Sequence, residues 1–219
     1  MQSPGGRGPR SDVSRVRAQY RARAARYDVE LAAFEPLRRE ALELLDLHAG
    51  DTVLDVGCGT GLSFDGLKSR IGARGHIVGI DPSPEMLDQA RVRIARHHWS
   101  GITLVPSTAA AAPLHGRADA AIFHFTHDVL RDPQALDHVF AHLKPGAQVV
   151  ATGLQWAPPW LPLTNAFVLG AALYSVTSLD GLARPWDLLE KRLVDVRLHP
   201  KPWAGLYVLA GRVALSSGA

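Results

Sequence analysis

At 219 residues, with 47% hydrophobic and 21% charged side chains, the chain can bury a full core and is not a disordered polypeptide. Its single cysteine, Cys58, excludes an intrachain disulfide framework and points to a reducing, cytoplasmic setting. The formal charge of +3 hides an asymmetry: Arg7, Arg10, Arg15, Arg17, Arg21, Arg23 and Arg26 stand against one acid, Asp12, in the first 26 residues. That start reads as a solvated tail and helix face, or else as a region drawn to an anionic surface.

Residues 1–12 read as a flexible tail, since the first ten contain three glycines and two prolines, and residues 13–219 read as one domain. No apolar run marks a signal peptide. Two helices are expected over 13–27 and 31–47, the second with Leu37, Ala41, Leu44 and Leu45 at helical spacing. Strands and helices then alternate. Strands fall at 52–56, 76–81, 102–105, 119–125 and 147–152, and helices at 61–70, 84–97 and 133–143. Ser83 and Pro84 supply an N-cap and a first helical residue, and Lys144-Pro145-Gly146 reads as a turn. After an apolar stretch come a helix at 185–193 and strands at 194–199 and 206–213, an antiparallel pair closing one sheet edge. Near-continuous apolar strands alternating with helices indicate an α/β fold whose mostly parallel sheet is covered on both faces.

The first strand ends Val53-Leu54-Asp55-Val56-Gly57-Cys58-Gly59-Thr60-Gly61. Glycines where a strand hands over to a helix let the chain turn tightly and bring its N–H groups close to a ligand. The spacing is G-x-G-x-G, not the G-x-G-x-x-G of dinucleotide-binding proteins, which disfavours a dehydrogenase. Asp81 ends the next strand about 20 residues on, where a carboxylate can take both hydroxyls of a ribose.

VLDVGCGTG, then VGIDPSPEMLDQAR, then LKPGAQVVATG resemble the class I S-adenosylmethionine (SAM)-dependent methyltransferases over about residues 20–152. The chain is most similar to their small-molecule branch, which includes ubiquinone/menaquinone-biosynthesis enzymes and phospholipid N-methyltransferases. The resemblance implies a Rossmann-like seven-stranded sheet with the last strand antiparallel, preceded by two N-terminal helices. It also implies a SAM site. Gly57, Gly59 and Gly61, with Cys58 among them, would pass beneath the methionine part of SAM. Asp55 would organise the loop and the cofactor's amino group, Asp81 with Pro82 would hold the ribose, and Met86 would pack on the adenine. Tyr20 and Tyr27-Asp28 match a segment that covers the methionine end. As residues alone, Asp55 also suits a helix cap, Met86 a core filler, and the two tyrosines ordinary packing. The sequence departs from the family after strand three. Where an acid usually reads the adenine amine, Thr108 stands here, so its hydroxyl or the N–H of Ala109 would do the reading.

The fourth strand ends Phe123-His124-Phe125-Thr126-His127-Asp128, beside which a methyl acceptor would lie. His124, also a cofactor contact, or His127 would orient or deprotonate the acceptor, with Asp128 fixing an imidazole tautomer. The other reading makes His127 and Asp128 a turn cap and packs His124 in the core. No metal-ligand spacing accompanies the cluster, so no metal is expected. Residues 155–184, starting Trp156-Ala157-Pro158-Pro159-Trp160, would form an acceptor-side lid suited to a hydrophobic body. Two other readings are an interfacial patch that works with the N-terminal arginines and a core helix; the stretch is too short to span a membrane.

The expected activity is methyl transfer from SAM to a small-molecule or lipid-like acceptor. A SAM-binding regulator without transferase activity and a peripheral phospholipid headgroup N-methyltransferase are the alternatives. Nucleic acid is not an expected partner, because the strand-four end lacks the N/D-P-P-Y/F motif of amino-directed DNA enzymes. The acceptor's identity and the oligomeric state stay open.

Overall fold

A computed structural model describes residues 33–175 and 179–215. The tail, the helix expected over 13–27, and Tyr20, Tyr27 and Asp28 lie outside these residues. The described chain opens with α1 (Glu35–Glu43), followed by β1 (Thr52–Val56), α2 (Phe64–Ile71), β2 (His76–Ile80), α3 (Pro84–Arg96) and β3 (Ile102–Val105). Then come β4 (Ala118–His124), α4 (His127–Leu130), α5 (Pro133–Ala141) and β5 (Leu143–Leu154). The chain continues through α6 (Pro162–Ser175), α7 (Asp187–Glu190), β6 (Val194–Lys201), a 3₁₀ turn (Pro202–Ala204) and β7 (Leu206–Arg212).

The strands form one sheet in the order β3-β2-β1-β4-β5-β7-β6. The first five run parallel, and β7 is antiparallel to both its neighbours, as the Rossmann-like expectation required. Chain order reverses between β1 and β4, which opens a crevice beyond their carboxyl ends. Register fixes what borders it. Val56 lies opposite Ile80 on one side and Phe123 on the other, so Gly57, Asp81 and His124 emerge side by side.

Side chains alternate between two apolar layers. Val53, Ile77, Ala120, Ile122 and Val150 pack with α1, α2 and α6, while Leu54, Val56, Ile80, Phe123 and Val149 pack with α5 and α7. The period of two places Asp55 and His124 on the α1 face.

Local chemistry sets the helix ends. Ser83 accepts the Met86 N–H at 3.3 Å and Pro84 fills the first turn, so α3 begins where expected. Asp132 caps α5 by accepting the Gln134 N–H at 2.9 Å. Three expectations are corrected. Among the described residues, the helix expected over 31–47 spans Glu35–Glu43, because Pro36 sits in its first turn and the Leu44 N–H turns back to the Ala41 carbonyl at 3.2 Å. Lys144-Pro145-Gly146 is no free turn but the irregular start of β5, where the register with β4 shifts between Ala118 and Ala120. The apolar stretch yields α6, which is not a core helix: Val168 and Ala172 are buried, but Leu163 is 86% exposed.

Candidate SAM site

The turn after β1 is built by glycine. Gly57, Gly59 and Gly61 have φ of +73°, +53° and +77°, a region that residues with a β-carbon enter at a cost of about 1–2 kcal/mol. The turn hangs on β2, since the Gly57 and Cys58 N–H groups both donate to the Ile80 carbonyl, at 2.7 and 3.0 Å. A β-carbon at Gly57 would collide with the Thr126 methyl, and one at Gly61 would come within 2.5 Å of the Phe64 ring. At Gly59 nothing lies within 4 Å, so the chain there faces open space. Gly57→Ala is therefore expected to lower unfolding free energy by about 2–4 kcal/mol in urea titrations, combining strain with overpacking. Gly59→Ala should cost only about 1–2 kcal/mol. Equal losses at the two positions would contradict the packing argument.

Asp81 ties the turn to α3. One carboxylate oxygen accepts the Gly59 N–H and the other the Ser83 N–H, each at 2.9 Å. Burial raises its pKa, and the two backbone donors oppose that rise. Asp55 is buried one strand away, and its Oδ2 has no hydrogen-bond partner. Burial, reinforced by the charge of Asp81 and opposed by Arg38, pushes its pKa up to about 8. The same burial, with Asp55 and Asp81, raises the Cys58 thiol well above the usual range, so it is an inert packing group.

The cleft is lined by Arg38, Asp55, Gly59, Ser63, His124 and Phe125, among others. His124 Nδ1 lies 2.9 Å from Thr152 Oγ1, and its Nε2 is buried without a partner. Burial, helped by the positive charge of Arg38, lowers its pKa to about 3, so the ring is neutral at physiological pH. Phe125 holds a φ of +57°, a strained value for a residue with a β-carbon, and its ring packs 4.8 Å from that of Phe34. His127 lies outside the cleft lining. Its Nε2 is 2.9 Å from the Asp180 carbonyl, which can only accept, so that nitrogen donates. Asp128 is exposed; His124 Nδ1 pairs with Thr152, and His127 Nε2 donates to the Asp180 carbonyl.

The remaining sequence-predicted contacts border Asp81. The Asp81 N–H donates to Val105 at the end of β3, which brings the 106–113 loop alongside. In that loop Thr108 is exposed and Ala109 buried. Pro82 is exposed and Met86 half-buried in the first turn of α3.

Arg38 was not anticipated. It is buried, with its Nε 3.2 Å from Glu35 Oε2. A signal existed in the pattern 38-41-42-45, the core-facing stripe of α1 and the turn after it, of which Ala41, Leu42 and Leu45 are apolar and Arg38 is not. Thr152 also escaped notice, although it is the one hydroxyl in the buried run Val149-Val150-Ala151-Thr152 and lies opposite His124 in register.

Buried, unpartnered polar atoms on Asp55 and His124 belong to residues lining a glycine cradle at a sheet switch point, and Thr126, with another such atom, packs against Gly57, a setting that fits the amino-acid and nucleoside parts of SAM. With the 3-2-1-4-5-7-6 strand order, this defines the fold and cofactor end of a SAM-dependent methyltransferase. Comparison with known proteins agrees. A family model described as "Methyltransferase domain" matches residues 53–146. A ubiquinone/menaquinone biosynthesis C-methyltransferase of Geobacter sp. (strain M21) is 33% identical over 157 residues, covering 68% of this chain and 66% of the relative. A demethylmenaquinone methyltransferase of Shouchella clausii (strain KSM-K16) is 29% identical over 160 residues, covering 70% and 67%. The chain thus spans about two thirds of the length of these relatives. In fold it is similar to the N-methyltransferase NodS of Bradyrhizobium japonicum WM9 in complex with S-adenosylhomocysteine (TM-score 0.58, 18% identity, 82% of this chain and 87% of that one). The chain belongs to the class I SAM-dependent methyltransferases, and SAM is its cofactor.

Proposed function

We propose that the protein methylates a small acceptor with a hydrophobic body, of the quinone type that its relatives' names describe. The observation that carries this is the set of buried polar atoms left without partners on Asp55, His124 and Thr126. Each costs about 1–3 kcal/mol when unpaired, an expense that a fold sustains where a ligand completes the bonds. Asp55 would take the cofactor's ammonium and Asp81 its ribose hydroxyls. The glycine turn would approach the methionine part closely.

SAM supplies a methyl group already activated at sulfur, so the chain's own task is alignment and exclusion of water. His124 presents a neutral Nε2 to the cleft, held in place by Thr152. A ring with a pKa of about 3 is a poor general base at neutral pH, so it orients the acceptor by a hydrogen bond and does not remove its proton. Residues 155–184, which carry α6, are the acceptor-side cover in this reading. The ring contacts Phe34–Phe125 and Phe34–Phe167 supply its apolar lining.

The test is SAM-to-S-adenosylhomocysteine turnover with a panel of acceptors that includes demethylated quinones, read by the mass gain of one methyl group. His124→Ala should cut turnover by about 10–100-fold, the worth of one positioned hydrogen bond in a dry site, with SAM affinity within about threefold. His127→Ala should act mainly on stability, because that ring anchors the Asp180 loop. The wild-type rate should show no inflection near pH 6.5 from His124. If His127→Ala abolished turnover and His124→Ala left it intact, the assignment would be wrong.

A further inference from the structure

Helix α6 turns an apolar face to solvent. Every exposed position between residues 162 and 173 is apolar, and Leu163 and Leu173 are 86% and 68% exposed. Thr164 and Asn165 are tied to neighbouring backbone: Thr164 donates to the Trp203 carbonyl at 3.1 Å, and Asn165 bonds both the N–H and the carbonyl of Ala157. Trp203, tied to α6 by that bond, is 73% exposed, and Trp160 just before the helix is 72% exposed. No charged residue interrupts the helix. A surface helix normally presents polar residues to water, and a contiguous exposed apolar face marks an interaction site.

We infer that this face docks on an anionic lipid bilayer. Two observations choose the occupant. The 32 residues that precede the described fold carry seven arginines against three acids, Asp12, Asp28 and Glu30, and they join it at Ala33. The next residue, Phe34, has its ring 6.4 Å from that of Phe167 on α6, so the described fold begins beside the apolar face. A net-basic stretch joined in sequence to an exposed apolar helix matches the charge of an anionic membrane surface. The 14 residues of α6 give a rod of about 21 Å, suited to lying in the interface, and no helix among the described residues is long and apolar enough to cross a membrane. The face also borders the cleft, because Phe34 packs on Phe125, which lines it with His124. A membrane-dissolved acceptor would then enter without crossing water. That last step rests on the acceptor reading above; the docking does not.

The test is flotation of the full chain with vesicles of phosphatidylglycerol and phosphatidylcholine in equal parts, against phosphatidylcholine alone. Wild-type protein should float with the anionic vesicles at low salt, and binding should fall as salt screens the arginines. The triple variant Leu163→Ser, Leu173→Ser, Trp203→Ser should lose about 100-fold in partitioning while SAM affinity and the melting midpoint stay unchanged. Failure of the wild type to float overturns the inference, as does a triple variant that binds equally well. So does light scattering that shows a dimer lost in the triple variant, since the face would then serve self-association. A protein that binds SAM but not vesicles loses the docking alone, whereas one that binds no SAM loses the function.

Discussion

Asp81→Ala is expected to weaken SAM binding by about 10²–10⁴-fold, measured by calorimetry on the folded variant. Each oxygen of this carboxylate already holds a backbone N–H, from Gly59 on one side and Ser83 on the other. The residue therefore does two things at once. It fixes the glycine turn against the start of α3, and it would present charge to the ribose hydroxyls. Hydrogen bonds to a charged group contribute about 1.5–3 kcal/mol each, so a loss of two costs about 3–6 kcal/mol in binding. Asp81→Asn should fall between, since an amide oxygen can accept one of these donors but carries no charge. A loss below tenfold in the alanine variant would mean that the ribose is held elsewhere.

Asp55 predicts an opposition between stability and binding that pH exposes. In the fold its carboxyl keeps its proton until about pH 8, against an ordinary value of 3.8. Between those values the native state holds one more proton than the unfolded chain, so stability falls by about 1.4 kcal/mol per pH unit as pH rises. The contribution is complete below about pH 4 and gone above pH 8. Asp55→Asn, which cannot ionise, should remove this slope and leave the ligand-free protein more stable than wild type by several kcal/mol at pH 8. SAM binding should move the other way. An ammonium placed at the unpartnered Oδ2 needs the ionised carboxylate, so wild-type affinity should rise about tenfold per pH unit up to pH 8. The Asn variant should bind weakly at every pH. Thermal melts and titrations across pH 5–9 check both halves, and a wild-type affinity flat across that range would remove Asp55 from the ammonium site.

The parts of the molecule that could be read from sequence are those whose cause is local. Gly57, Gly59 and Gly61 announce positive φ because few other residues reach it, and Ser83-Pro84 announces a helix start because cap and first turn are adjacent in the chain. Asp81 could be placed because strand length and one crossover fix it beside the turn. What escaped depends on partners distant in sequence. Thr152 becomes the holder of His124 only through the β4–β5 register, 28 residues away. His127 points to the Asp180 carbonyl, 53 residues on, and spacing alone offered Asp128 for that role. The direction of α6 was illegible for another reason. An almost uniformly apolar helix has no periodicity to say which side faces in, and its orientation shows only in the burial of Val168 and Ala172 and the backbone bonds of Thr164 and Asn165.

Calorimetric titration of the folded full chain with SAM and with S-adenosylhomocysteine bears most directly on whether this glycine turn and its two flanking carboxylates hold a sulfonium nucleoside. A single saturable site for both compounds, with the SAM affinity strengthening as pH approaches 8, is the predicted result. Absence of heat with either compound, from protein shown to be folded, would contradict it.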